Sequence, residues 1–401
     1  MSDLPFTVEV FTAEVPMARP FAHAASERRT SRSVLVRCTL AGATGWGEGA
    51  PRSYVTGESL DSAVHALQHA QLPALEALFT GSFHSGVRAL AALDLSAALG
   101  SREHPAPAAA CALETALLDA WCRAHGRDAA EALAVVGGEA LRSVPQVPAS
   151  ALVVDASRTP AELLGALSAE ARSRLTHVKV KGLPDPEATR ELVMSAREFV
   201  DPARTTLSVD ANGAWSPALA LQAAALLADV VDWLEEPTRP RDWATLHRIQ
   251  RGTGCPVMLD ESAVVPADLD DAIRHAAATY VNVRVSKCGG PLASLRMLQH
   301  ARTLGLRAQL GVQVAEVGPL WAAGRLLAAH VDELVAVESG RQDEWFDPDL
   351  TVPPYTIDRT HHRAEPLPGP GFGLVPSPRF LQTRTRRAGR TVPGPTTRTP
   401  A

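Results

Sequence analysis

THVKVKGL, residues 176–183, reads as a strand whose two faces carry different chemistry. Side chains alternate along a strand, so Val178 and Val180 share one face while Lys179 and Lys181 share the other. These are two of only three lysines in the chain; the third is Lys287, and the other 36 of the 39 basic residues are arginine. A chain that writes its positive charge as arginine has here set two compact ammonium groups one residue apart. Neighbouring ammonium groups disfavour each other's charge and lower a pKa. A lysine tuned in this way suits the role of general base toward a weakly acidic C–H.

Outward from this strand the same texture repeats. From about residue 145, short apolar runs (QVPASALVV, THVKVKG, TTLSVDANG, VVDWLEEP, CPVMLDES, YVNVRVSKCGG, LRAQLGVQV, ELVAVESG) alternate with Ala-rich helical stretches. Lys181, Asp210, Glu235, Asp260 and Arg284 stand at run ends, 29, 25, 25 and 24 residues apart. Eight strands alternating with helices predict a parallel β/α barrel, with both lysines pointing inward near its C-terminal mouth. Upstream, FTVEVFTAEV and SVLVRCTLAG read as strands and GATGWGEG as their turn, followed by Ala/Leu-rich helices to about residue 135. The expected division is an α+β N-terminal domain over 1–140, completed by about 345–383, and a barrel over 141–344. The final segment, 384–401, lacks apolar periodicity and is expected to be disordered.

Three carboxylates, Asp210 in LSVDANGAW, Glu235 in DWLEEP and Asp260 in VMLDES, each close a strand, so three consecutive strands deliver them to one point at the mouth. Oxygen ligands without clustered Cys or His favour Mg²⁺ or Mn²⁺ over zinc. Together these parts suit one kind of chemistry, in which a divalent ion neutralises a substrate carboxylate while an inward lysine removes its α-proton.

Composition narrows the setting. A chain of 401 residues, 46% hydrophobic, can bury a core large enough for a barrel with an added lobe. A net charge of −5 gives no reason to expect nucleic acid or an acidic membrane as partner. No apolar run spans a bilayer, MSDLPFTVEV lacks the pattern of an export signal, and five scattered cysteines point to reduced thiols in a cytoplasmic protein. The glycines of GWGEG lie in a hairpin with no helix opening from it, which argues against a dinucleotide site.

With K-x-K, DANGAW, LEEP, LDES and K-x-G-G in this order, the chain resembles the enolase superfamily, in its mandelate racemase/muconate lactonizing enzyme branch. GWGEGAPRSYVTGES resembles that branch's capping-domain hairpin and mobile loop, and ALETALLDAW its pre-barrel helix. The resemblance implies a modified TIM barrel, (β/α)7β, under an α+β capping domain whose loops select the substrate. It also implies Lys181 as base, Lys179 as its pKa-lowering neighbour, Asp210, Glu235 and Asp260 as Mg²⁺ ligands, and a homo-oligomer. Phe21, His23, Arg52 and Tyr54 fall in stretches matching the specificity loops, with Arg52 a candidate for an anionic group. Asn212, Glu316 and Glu338 are further candidates to line the substrate site.

Two departures bear on the reaction. Many members of the branch place a second lysine on the sixth barrel strand, in an N-[IV]-K run. Here alternation in YVNVRVSKCGG turns Asn282, Arg284 and Ser286 inward, so Arg284 takes that place and Lys287 has outward parity. An arginine keeps its proton and is a poor partner for two-base chemistry. GVQVAEVG also lacks the histidine of mandelate racemase, and VAVESGRQDEW lacks the Asp-x-Asp pair that dipeptide epimerases use. The reading is a Mg²⁺-dependent enzyme that removes the α-proton of a small carboxylate substrate by one-base lyase, dehydratase or cycloisomerase-type chemistry. The alternatives are a racemase or epimerase of an amino-acid derivative or dipeptide, with Lys287 or Arg284 as second base, and an inactive binding protein on the same scaffold.

Overall fold

The computed structural model describes residues 6–389, apart from 24–25, 70–74, 102, 139–140, 142–151, 155–157, 315, 339–344, 347, 359 and 362. The N-terminal lobe is an antiparallel sheet of β1 (Thr7–His23), β2 (Ser26–Leu40) and β3 (Ala43–Gly49) backed by the helix Pro107–Ala124. Strand and helix meet through small residues. Gly45, Gly47 and Gly49 alternate along β3, and Ala108, Ala112, Ala116 and Ala120 recur every fourth residue on the helix. A Cβ on Gly47 would lie 2.0 Å from the Ala112 carbonyl oxygen, and one on Gly49 1.9 Å from that of Ala108. The glycines of GWGEG therefore serve backbone-to-backbone packing rather than a ligand.

The second lobe is the barrel. Strands β4 (Leu152–Val154), β5 (His177–Lys181), β6 (Thr206–Asp210), β7 (Trp233–Glu235), β8 (Val257–Leu259), β9 (Tyr280–Arg284), β10 (Arg307–Gly311) and β11 (Ala336–Val337) pair in parallel in chain order. A helical connection follows each of the first seven, which gives the (β/α)7β pattern. Val178, Val180, Val209, Leu234, Val281, Val283 and Leu310 face out into the apolar core shared with the helices. The interior is layered. Its lower layer is apolar and aromatic, with Trp233, Met258, Tyr280 and Ala336 packed together and the His177 ring stacked on Trp233 at 4.8 Å. Burial, reinforced by Lys179, lowers the pKa of His177 to about 3, so this imidazole is a neutral packing element. Above that floor, β5, β6, β7 and β9 turn polar and charged residues inward, among them Lys179, Lys181, Asp210, Glu235, Asn282 and Arg284.

Three buried carboxylates cap helix starts, and two of them, Glu114 and Glu48, join the N-terminal lobe to the barrel. The helices Pro107–Ala124, Pro291–Thr303 and Pro319–His330 each begin with proline and lack a side-chain cap of their own. Glu58 accepts the N–H of Ala108 at 2.8 Å, Glu114 that of Leu292 at 2.7 Å, and Glu48 those of Val317, Gly318 and Leu320 at 2.8, 3.1 and 3.2 Å. Orphan N–H groups at a helix start are thus satisfied from a distant element.

Downstream of the barrel, β12 (Thr351–Val352) pairs with β13 (Val375–Pro376), and Asp119 and Arg123 of the pre-barrel helix bond Phe372 N and Leu374 O. The expectation of disorder from residue 384 onward is corrected for its first part: β14 (Thr385–Gly389) adds to the edge of β1. Its sequence, TRRAG, has no apolar face to read, because an edge strand is held by backbone bonds and by pairs such as Arg387–Glu9 at 3.0 Å. Residues 390–401 lie outside the described residues. No helix of the described chain is long and apolar enough to cross a membrane.

Candidate active site

The polar layer at the top of the barrel is built by the strand ends. On β5 the alternation turns Lys179 and Lys181 inward. Lys179 is 2% exposed, and its ammonium lies 2.7 Å from Glu235 Oε2, against Glu338 Oε1 and 3.7 Å from Asp210 Oδ2. Lys181, higher on the strand and less buried, donates to Asp210 Oδ2 at 2.5 Å and to Asn212 Oδ1 at 2.9 Å. Asn212 adopts a left-handed backbone, φ 47°, which asparagine tolerates and which lets its N–H reach Asp210 Oδ1 at 2.9 Å. Glu235 also accepts from Asn282 Nδ2 at 2.8 Å and Gln309 Nε2 at 3.3 Å.

On the far side of the layer, Arg284 lays Nη2 against Asp260 Oδ2, approaches Glu261 at 3.8 Å and donates to Gln313 Oε1 at 3.1 Å. Lys287 is fully buried, with its ammonium bonded to the Asp260 carbonyl oxygen at 2.6 Å, Asp260 Oδ1 at 2.9 Å and the Asn282 carbonyl oxygen at 2.6 Å. Glu236, at φ 36°, accepts from the N–H of Asp260 at 2.7 Å and of Ser262 at 3.1 Å, which holds the loop that follows β8.

Electrostatics divide these groups. Burial disfavours the Lys179 charge, but Glu235, Glu338 and Asp210 outweigh it and hold its pKa above the usual lysine value. Three carboxylates thus pin Lys179 in the charged form. Burial works against Asp210 too, yet Lys181 and Lys179 bring its pKa well below the usual carboxylate range. Glu235 is raised by burial despite Lys179. Glu338 is lowered, chiefly because Lys179 and Arg284 overcome its burial.

Of the residues singled out from sequence, Lys179, Lys181, Asp210, Asn212, Glu235, Asp260, Arg284 and Glu338 come together in this layer. Four expectations change. Glu338, expected to line the substrate site, is engaged as a partner of Lys179 and accepts the Val312 N–H at 3.3 Å. Lys287 is bound behind Asp260, because β9 ends at Arg284 and Val285–Cys288 turn into a short helix that breaks the strand's alternation. Arg52 donates to the carbonyl oxygens of Arg32, Pro51 and Val314 at 2.9, 2.8 and 3.0 Å. It ties the cap to the loop after β10 rather than presenting its charge to an anion. Glu316 is buried, accepts the Gln313 N–H at 2.7 Å, and is pushed up to about 8 by burial and by Glu48. Tyr54 is half-buried on the short helix Ser53–Thr56. Phe21 and His23 lie near the end of β1, and their side chains fall outside the described residues. Sequence reasoning missed Gln309, Gln313, Glu236 and Glu261. Gln309 was open to the same alternation that revealed Lys179, and both glutamates adjoin acids already singled out.

The fit of this layer to a divalent ion can be tested on its charges. Asp210, Glu235, Glu236, Asp260, Glu261 and Glu338 are six buried carboxylates facing four cations, Lys179, Lys181, Arg284 and Lys287. Burial pushes Glu236 up to about 7 and Glu261 up to about 8, and a divalent cation beside them would supply the positive charge that keeps these two carboxylates ionised. Both oxygens of Glu261 are buried without a hydrogen-bond partner, and Asp260 Oδ2 touches Arg284 without an aligned hydrogen bond. The all-oxygen donor set suits Mg²⁺. As placed, however, no three His, Cys, Asp or Glu side chains among the described residues are grouped to hold a metal. The expected convergence of Asp210, Glu235 and Asp260 is corrected to this extent: each has turned to its nearest basic side chain, since carboxylates repel one another.

The fold and this charged layer define a family. Residues 6–133 match the mandelate racemase/muconate lactonizing enzyme N-terminal domain, and 164–379 the enolase C-terminal domain-like model. The chain belongs to the enolase superfamily, in its mandelate racemase/muconate lactonizing enzyme branch, a family of enzymes. An N-succinylamino acid racemase of Amycolatopsis sp is 29% identical over 386 residues, 94% of this chain and 96% of the relative. Muconate cycloisomerase 1 of Rhodococcus opacus is 27% identical over 316 residues, 76% of this chain and 79% of the relative. A dipeptide epimerase of Enterococcus faecalis V583, solved with Mg and the dipeptide L-Leu-L-Tyr, superposes with a TM-score of 0.74 at 20% identity, covering 92% of this chain and 99% of that one.

Proposed function

We propose that the protein removes the α-proton of a small carboxylate substrate with Lys181, by one-base lyase or cycloisomerase-type chemistry. Asp210, Glu235 and Asp260 would hold a Mg²⁺ ion, as one is held in the Enterococcus faecalis epimerase structure. When bound, that ion supplies positive charge to the substrate carboxylate and to the charge that develops as the proton leaves. Lys181 is the least buried of the three lysines and is anchored on two sides, by Asp210 and Asn212, which aims its nitrogen while leaving a path for the proton. Lys179, held charged by Glu235, Glu338 and Asp210, adds a fixed positive charge to the floor of the site. Arg284, held by Asp260 and Gln313, contributes a permanent cation that stabilises negative charge without exchanging a proton.

One observation carries the one-base reading: an arginine ends β9, and the only other lysine, Lys287, is buried with oxygen partners on its ammonium. A racemase or epimerase is the second reading. It is favoured by the relatives, which include the N-succinylamino acid racemase and an L-Ala-D/L-Glu epimerase of Bacillus subtilis. Incubation of the Mg²⁺-loaded protein in D₂O with acid-sugar, muconate-like, N-acyl amino-acid and dipeptide libraries separates the two. Deuterium entering from one face, with elimination or ring opening, supports the first. Deuterium entering from both faces with interconversion of stereoisomers selects the second.

A further inference from the structure

We propose that Lys287 is a positioning residue that fixes the Asp260 carboxylate, not a proton-transfer group; the inference rests on the reading of Asp260 as a metal ligand. An ammonium has three N–H donors, and Lys287 meets three acceptors: the Asp260 carbonyl oxygen at 2.6 Å, Asp260 Oδ1 at 2.9 Å and the Asn282 carbonyl oxygen at 2.6 Å. None of the side chain is exposed. The short helix Val285–Cys288, closed by Gly289 at φ 98°, carries residue 287 back beneath the end of its own strand. There the ammonium joins the end of β9 to the residue that follows β8.

Three oxygens converging on one buried point repel each other unless a cation lies between them. A compact tetrahedral donor satisfies all three, whereas a planar guanidinium spreads its donors in a fork. This accounts for a lysine at this position in a chain with 36 arginines among its 39 basic residues. With Oδ1 fixed, Asp260 is left with Oδ2 turned toward Arg284 and the acidic cluster. Partners of this kind orient a metal-ligating carboxylate, and their loss typically costs about 10–100-fold in metal affinity.

The test uses the full chain and Mg²⁺ itself. Calorimetric titration should show Mg²⁺ affinity lowered at least about tenfold in Lys287→Met. Lys287→Arg, which keeps the charge but loses the tetrahedral geometry, should fall as far, and it carries the test if the Met variant does not fold. At saturating Mg²⁺, α-proton exchange in the variants should keep the wild-type pH profile and remain dependent on Lys181. Mg²⁺ bound by either folded variant as tightly as by wild type, or more tightly, overturns the inference. So does exchange abolished at saturating Mg²⁺ with affinity intact, which would make Lys287 an acid or base. If wild type itself takes up no Mg²⁺, the functional reading falls and this one with it; unaltered variants beside a binding wild type sink this one alone.

Discussion

Replacing Lys179 by methionine should remove the positive centre of the polar layer while nearly preserving its volume. The ammonium is 2% exposed, 2.7 Å from Glu235, against Glu338 and 3.7 Å from Asp210. Deleting one member of a buried ion pair costs about 3–5 kcal/mol, because the partner is left charged and desolvated. Here more than one carboxylate is left so, and the upper end of that range is expected at pH 8 in EDTA. That is a large share of a typical stability of about 5–15 kcal/mol. The pH dependence has a definite sign. In wild type, the raised folded pKa of Lys179 means its contribution is complete below the unfolded value of about 10.4, so it is the same at pH 5.5 and pH 8. In the variant, the abandoned carboxylates have folded pKa values raised above the unfolded value of about 4. Such groups stabilise the fold below that value and lose the contribution as pH rises through the folded pKa. The deficit should therefore be smaller at pH 5.5 than at pH 8. Urea denaturation followed by far-ultraviolet circular dichroism measures it at both. A deficit under about 1 kcal/mol at pH 8, or one equal at the two pH values, would refute the assignment of Lys179 as a buried counter-charge.

Other consequences are equally direct. Gly47→Ala puts a Cβ 2.0 Å from the Ala112 carbonyl oxygen, so β3 must retreat from the helix at a cost of about 3 kcal/mol; Gly252→Ala, with open space around it, should cost nothing, as shown by denaturation midpoints. Arg284→Lys supplies a second titratable amine at the end of β9. It should add deuterium incorporation on the opposite face of the α-carbon, detected by NMR of product recovered from D₂O, and unchanged stereochemistry would show that Arg284 does not face the reacting carbon. Glu48→Ala strands the N–H groups of Val317, Gly318 and Leu320 and should lower stability by about 3–9 kcal/mol at about 1–3 kcal/mol per stranded group, visible as a fall in Tm.

What the sequence disclosed and what it hid divide along physical lines. Alternation in HVKVK and YVNVR revealed the inward residues of β5 and β9, because a strand's period is fixed by its geometry. The barrel followed from the same periodicity repeated at similar spacing. Lys287 was beyond reach of that rule, since the chain leaves the strand at Arg284 and coils, and parity means nothing after the turn. Arg52 was legible as a candidate for an anionic group but not as a donor to three carbonyl oxygens, because its acceptors come from residues 32, 51 and 314. Likewise the pairing of Gly47 with Ala112 depends on how two separate elements meet. The β14 strand was hidden for a different reason: an edge strand held by backbone bonds needs no apolar face.

The central claim is that Lys181 is the base, acting beside a carboxylate-bound ion. It is tested most directly by following α-hydrogen exchange in D₂O for wild type and Lys181→Ala at saturating Mg²⁺, with Mg²⁺ binding measured on the same samples. The account predicts exchange in wild type and a loss of about 10²-fold or more in the variant, with Mg²⁺ still bound. A variant that binds Mg²⁺ and exchanges the α-hydrogen at the wild-type rate would contradict it.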